Sequence, residues 1–102
     1  MLIQVNTDSN IQSDESVVRH AEETIANALA RFSGQVTRVQ VHLSDSNAGK
    51  GGARDKRCSL EARLDGRPPA AASDDADTVA AAISGAAKKL QRVLESSLGK
   101  LG

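Results

Sequence analysis

Two stretches of strict alternation, separated by a glycine-rich segment, constrain this chain most. Val39, Val41 and Leu43 alternate with Arg38, Gln40, His42 and Ser44. Cys58, Leu60, Ala62 and Leu64 alternate with Arg57, Ser59, Glu61 and Arg63. A period of two sends successive side chains to opposite faces, so each stretch reads as a strand with one buried and one solvated face. Residues 45–55 between them hold Asn47, Gly49, Gly51 and Gly52, the composition of a long hairpin loop. Such a pair of strands cannot stand alone. The rest of the chain must cover its apolar face.

Two helices can do so. Ser13 or Asp14 can cap the first, with Glu15 in its first turn. Val17, Val18, Ala21, Ile25, Ala28, Leu29 and Phe32 follow at spacings of three and four, an amphipathic helix of about five turns. Ser33-Gly34 ends it, with Gly34 suited to a left-handed position. The second helix starts near Asp77 as its cap and runs toward Gly99, with Val79, Ile83, Ala86, Ala87, Leu90, Val93, Leu94 and Leu98 as its apolar stripe. Leu2, Ile3, Gln4, Val5 and Asn6 form a short leading strand before a breaker cluster. Asp65-Gly66 marks a tight turn. A fourth strand over residues 70–73 follows Pro68-Pro69, and proline places it at a sheet edge. The order is β-α-β-β-β-α: an α+β fold, a four-stranded mixed sheet with both helices on one face and a right-handed first crossover. One domain over residues 1–102 is expected.

Composition narrows the function. Nothing approaches ~18 consecutive apolar residues, so no membrane span is expected. Residues 1–10 lack the basic and apolar regions of a secretory signal, which makes a cytoplasmic location the default. One Cys excludes an intramolecular disulfide. Phe32 is the sole aromatic, which argues against base stacking as a mode of nucleic-acid recognition. The formal net charge of zero hides a pattern. Residues 1–47 carry −3, 48–67 carry +3, 68–83 carry −3 and 84–102 carry +3. A binding surface answers to the local field, although helix dipoles favour the same arrangement of acids and bases.

Catalysis finds little support. His20 and His42 have no triad partners at a suggestive spacing, and Cys58 falls on the inward phase of its strand as a small core residue. Asp74, Asp75 and Asp77 read as helix-start acids rather than metal ligands. No enzyme activity, metal, cofactor or small-molecule substrate is expected. Residues 47–52 lack the spacing of a phosphate-binding loop. They belong instead to a hairpin tip whose Lys50, Arg54, Lys56 and Arg57 can touch phosphates or stay solvated. The sharpest feature is Lys88, Lys89 and Arg92, with Lys88 and Arg92 a turn apart on one helix face. Such a ridge can contact a sugar–phosphate backbone without reading bases. A solvated helix face accounts for the same pattern.

Ala81-Ala82-Ile83-Ser84-Gly85 and then Lys89-Leu90-Gln91-Arg92-Val93-Leu94 resemble the last-helix signature of the ribosome hibernation promoting factor family, which includes the ribosome-associated inhibitor. Residues 3–6, the helix end Ala30-Arg31-Phe32 and residues 37–43 are similar to that family too. The resemblance spans essentially the whole chain, in the family's short form. It implies a shape like a double-stranded-RNA-binding domain. It also implies binding to the small ribosomal subunit, 16S rRNA and neighbouring proteins, in the tRNA and mRNA channel, and repression of translation under stress. Lys88, Lys89 and Arg92 would then contact rRNA. Lys50, Arg54, Lys56 and Arg57 of the hairpin and Arg31 complete the expected basic set, in a protein that is monomeric off the ribosome. The first helix departs from the lysine-rich family pattern with Glu22, Glu23, Thr24 and Asn27. Ala80 stands where the family often has an aromatic residue. The alternative is a protein-interaction module that kept the fold and lost rRNA affinity.

Overall fold

The computed structural model describes residues 1–8, 11, 14–45 and 56–98. Its elements are β1 (Leu2–Thr7), α1 (Glu15–Ala28), a single 3-10 turn (Ala30–Phe32), β2 (Val36–Asp45), β3 (Lys56–Leu64), β4 (Arg67–Ala76) and α2 (Val79–Leu98). The strands form one sheet in the order β1-β2-β3-β4. β1 runs parallel to β2, while β2–β3 and β3–β4 are antiparallel. This is the expected α+β arrangement, with both helices on one face of a mixed sheet.

One core joins these elements. Val39, Val41 and Leu43 of β2 and Cys58, Leu60 and Ala62 of β3 supply its floor. Ala21 and Ile25 of α1, with Leu29 and Phe32 just beyond it, cover one side. Ala82, Ile83, Ala86, Ala87, Leu90, Leu94 and Leu98 of α2 cover the other. Three of the α2 residues are alanines at the contact, so the helix backbone sits close to the sheet. Close approach takes the place of bulk in a chain with a single aromatic side chain. The other face of the sheet is covered by neither helix and carries the polar phase of each strand, as an antiparallel sheet permits.

The two helices are parallel. Ser16, Val17 and His20 at the start of α1 share a groove with Val79, Ala80 and Ile83 at the start of α2. At the far ends Arg31 Nη1 reaches Glu95 Oε2 at 3.3 Å. Both helix N-termini therefore lie at one pole of the molecule and both C-termini at the other.

Several local expectations are corrected. The first helix does not continue to Phe32. It stops at Ala28, and the 3-10 turn swings Phe32 into the core. Among the described glycines only Gly66 has a positive φ, of 72°, so Gly34 does not serve as a left-handed stop. Gly66 closes the β3–β4 turn as its Asp-Gly sequence suggests. The cap of α2 is Thr78 rather than Asp77: Thr78 Oγ1 accepts from the Ala81 N–H at 3.1 Å. Asp14 caps α1 as expected, accepting from the Val17 N–H at 3.0 Å and the Ser16 hydroxyl at 2.7 Å. Those two bonds hold its carboxyl below its usual pKa, the Ser16 bond contributing most. The fourth strand is longer than residues 70–73. It includes both prolines, which are exposed and lie on the edge strand where its register against β3 shifts, between the Ala62–Ala70 and Leu64–Arg67 pairs.

Candidate nucleic-acid interface

The helical half of the interface is α2. Its buried stripe faces the sheet, which turns Lys88, Lys89 and Arg92 to solvent. Lys88 and Arg92 lie one turn apart, about 6 Å along the axis. Their charged groups have no ion-pair partner among the described residues. Lys89 is different. On the sheet side of α2 it meets Asp74 of β4, with Nζ 2.8 Å from Oδ1. Asp74 sits on the inward phase of β4, directly opposite buried Cys58. Its side chain is only 18% exposed. Burial, with the Asp74 charge second, pushes the Cys58 thiol up to about 12. Cys58 is thus an inert core thiol, as its phase suggests.

The other expected contacts are dispersed. Lys56 and Arg57, read as members of one basic hairpin tip, leave β3 on opposite faces. Lys56 Nζ pairs with Asp45 Oδ2 at 3.1 Å across the β2–β3 register. Arg57 turns to the helix-free face, where Nη1 meets the Asp75 carboxylate at 3.1 Å and Nη2 meets the Ser73 hydroxyl at 3.1 Å. Lys50 and Arg54 lie outside the described residues. Arg31 is tied to Glu95 beside the α2 ridge and lies 5.2 Å from the centroid of the Phe32 ring. Four of the six expected cations that lie among the described residues are therefore paired with carboxylates: Arg31, Lys56, Arg57 and Lys89.

The charges remain interleaved in space. Asp14, Glu15 and Asp77 lie at the pole of the helix N-termini, where the helix dipoles favour them, and Lys56 and Arg57 lie at the same pole, opposite Asp45 and Asp75. Arg31, Arg92, Arg38 at the start of β2, Arg63 at the end of β3 and Arg67 at the start of β4 gather toward the other pole. The last three were not among the expected contact residues. Their signal was present in the alternation, which puts Arg38 and Arg63 on the solvated phase of neighbouring strands. Only the register shows that they are opposite one another.

Among the described residues no group of three or more His, Cys, Asp or Glu side chains could hold a metal ion. No described helix is long and apolar enough to cross a membrane. A ridge of cations on a helix, without aromatic platforms, suits phosphate contact and steric docking rather than base readout.

Solved structures share this fold. The chain is similar to the Thermus thermophilus Protein Y N-terminal domain, with a TM-score of 0.76 and 21% identity over 95% of this chain and 99% of that one. It is also similar to a ribosomal subunit interface protein from Coxiella burnetii, with a TM-score of 0.76 and 13% identity over 97% of this chain and 99% of that one. No curated protein sequence matches it significantly. The model of one sequence family does match, over residues 3–101, and with the β-α-β-β-β-α order this places the chain in the sigma 54 modulation protein / S30EA ribosomal protein family.

Proposed function

We propose that this protein is a ribosome-associated regulator of translation that docks on small-subunit rRNA at the subunit interface and occludes tRNA and mRNA. Family membership supports the ribosome as partner. The observation that carries the contact assignment is the pair Lys88 and Arg92. They project from one face of α2 with no carboxylate partner among the described residues, while neighbouring Lys89 is held by Asp74. Lys88 and Arg92 contact phosphates directly, and Lys89 contributes once Asp74 is displaced or screened. The protein acts as a wedge: it neutralises backbone charge, fixes its own position and fills space.

Co-sedimentation with 30S subunits over a series of salt concentrations tests this reading. Engagement of about four phosphates gives a slope of log K against log salt on the order of −3. The variant Lys88→Gln/Arg92→Gln is expected to fold normally, lose most of its binding and flatten that slope. Absence of co-sedimentation at low salt would sink the proposal. Binding untouched by the double substitution would refute the site.

A second reading has its own observation. The exposed face of α1 carries Glu15, Glu22 and Glu23 against Arg19. Four expected RNA-contacting cations also spend their charge on internal pairs. A protein-interaction module would show salt-insensitive association with a protein and no retention of RNA.

A further inference from the structure

Arg38 and Arg63 face each other across the β2–β3 ladder on the side of the sheet that neither helix covers. Like charges directly opposite one another destabilise a sheet, so the arrangement needs a counter-charge or another use. The ladder shifts register between Val36 and Arg38, and the bulge lets Val36 and Val39 both point inward while Thr37 and Arg38 both point outward. Bulges re-aim side chains in this way near binding sites. Arg38 Nε is buried and makes no hydrogen bond among the described residues. A guanidinium donor shut away from solvent without an acceptor is costly. Arg63 has only a loose local partner, Glu61 Oε1 at 3.7 Å from its Nε, with both side chains largely exposed. The two arginines thus start from directly opposed positions on one face, and among the described residues Arg38 has no ion pair and Arg63 only this loose one.

We infer that Arg38 and Arg63 form an anion clamp that takes a phosphodiester of RNA on the helix-free face of the sheet. The residues around it point to nucleic acid rather than protein. Gln4, Gln40, His42 and Ser59 supply donors and acceptors of the kind that meet phosphate and sugar, and the neighbouring carboxylate, Glu61, leans on Arg63. Among the described residues Leu2 is the only large aliphatic residue on that face, and none there is an aromatic anchor of the kind that dominates a protein interface. The inference rests on the ribosomal reading above and extends it. The α2 ridge and the arginine clamp lie on opposite sides of the sheet, so the protein would sit between two backbone segments instead of resting on one.

The test combines side-chain NMR of the arginine Nε–H groups with 30S co-sedimentation. A short RNA hairpin is titrated into the free protein, and a polyglutamate peptide serves as the acidic-protein probe. The Arg38 and Arg63 signals are expected to shift with RNA. Arg38→Gln/Arg63→Gln should weaken 30S binding roughly tenfold or more and make the salt slope shallower by about 0.7 to 0.9, the share of one phosphate. Its melting temperature should hold or rise, because a like-charge pair is removed. If the Lys88/Arg92 variant loses 30S binding while the Arg38/Arg63 variant binds as wild type, the clamp is wrong and the ribosomal reading survives. If the wild type fails to bind 30S subunits and RNA moves no arginine signal, both are wrong. If polyglutamate shifts the two signals and RNA does not, the clamp serves a protein carboxylate and the RNA assignment is overturned.

Discussion

The carboxylate of Asp74 occupies the space that a side chain at position 85 would need. A Cβ built on Gly85 collides with Asp74 Oδ2 and crowds its Cγ and Cβ. Glycine in the interior of α2 costs about 1 kcal/mol relative to alanine, so something must hold it there. The occupant is Asp74, tucked between the sheet edge and the helix and bonded to Lys89.

Gly85→Ala should therefore fail to stabilise the protein, because Asp74 must swing away and release Lys89. In an Asp74→Ala background the same change should stabilise by about 1 kcal/mol, since only helix propensity remains. The coupling, read from urea unfolding of the four proteins of the cycle, is expected at roughly 1–3 kcal/mol. Additive effects would show that the two residues do not share the space.

Thr78→Ala should cost about 1 kcal/mol, the usual loss when an N-cap oxygen is removed, and Thr78→Ser should restore most of it. Thermal unfolding of the two variants checks the assignment. Equal stability of Thr78→Ala and wild type would move the cap elsewhere. The neighbouring Asp77 also has a side chain that can cap a helix. Hydrogen-bond geometry decides, and it selects the hydroxyl one residue later.

That example marks where the sequence stops being legible. Period two in residues 38–44 and 57–64, and the 3.6-residue period in α2, survive any detail of packing because burial of a whole face enforces them. Pro68 and Pro69 announce an edge strand because a missing donor is a local fact. Ion pairing is not local. Lys89–Asp74 and Arg31–Glu95 join residues 15 and 64 positions apart. Arg57 and Lys56, adjacent in the chain, separate across the sheet. The Arg38–Arg63 pair depends on a one-residue register shift that alternation alone does not reveal. The sequence thus exposes the charges, and the fold decides which of them remain available.

Cys58 should resist thiol reagents at pH 8 in the native protein and react readily when unfolded, since its thiol pKa is pushed from 9.0 to about 12. The same shift makes a stability prediction. The folded state holds this proton more tightly than the unfolded state. The contribution is therefore full below pH 9 and is lost as pH rises through about 12. Across that window wild-type stability should fall relative to Cys58→Ala by roughly 1.4 kcal/mol per pH unit. Parallel stability curves for the two proteins between pH 8 and pH 11 would refute the burial argument.

Glu95→Gln should tighten binding to 30S subunits. Glu95 lies beside the α2 ridge, one turn beyond Arg92, and holds Arg31 at 3.3 Å. Both side chains are well exposed, at 60% for Arg31 and 42% for Glu95, so the pair adds little to stability and its loss should cost less than about 0.5 kcal/mol. Removing the carboxylate has two consequences for an approaching phosphate. A repelling charge leaves the ridge, and Arg31 becomes free to join Lys88 and Arg92. Affinity at low salt should rise several-fold, and the salt slope should steepen by about 0.7 to 0.9, the share of one further phosphate. Unchanged affinity with an unchanged slope would mean that Arg31 stays outside the interface. Weaker binding would mean that Glu95 itself meets the partner, as a protein-directed surface requires.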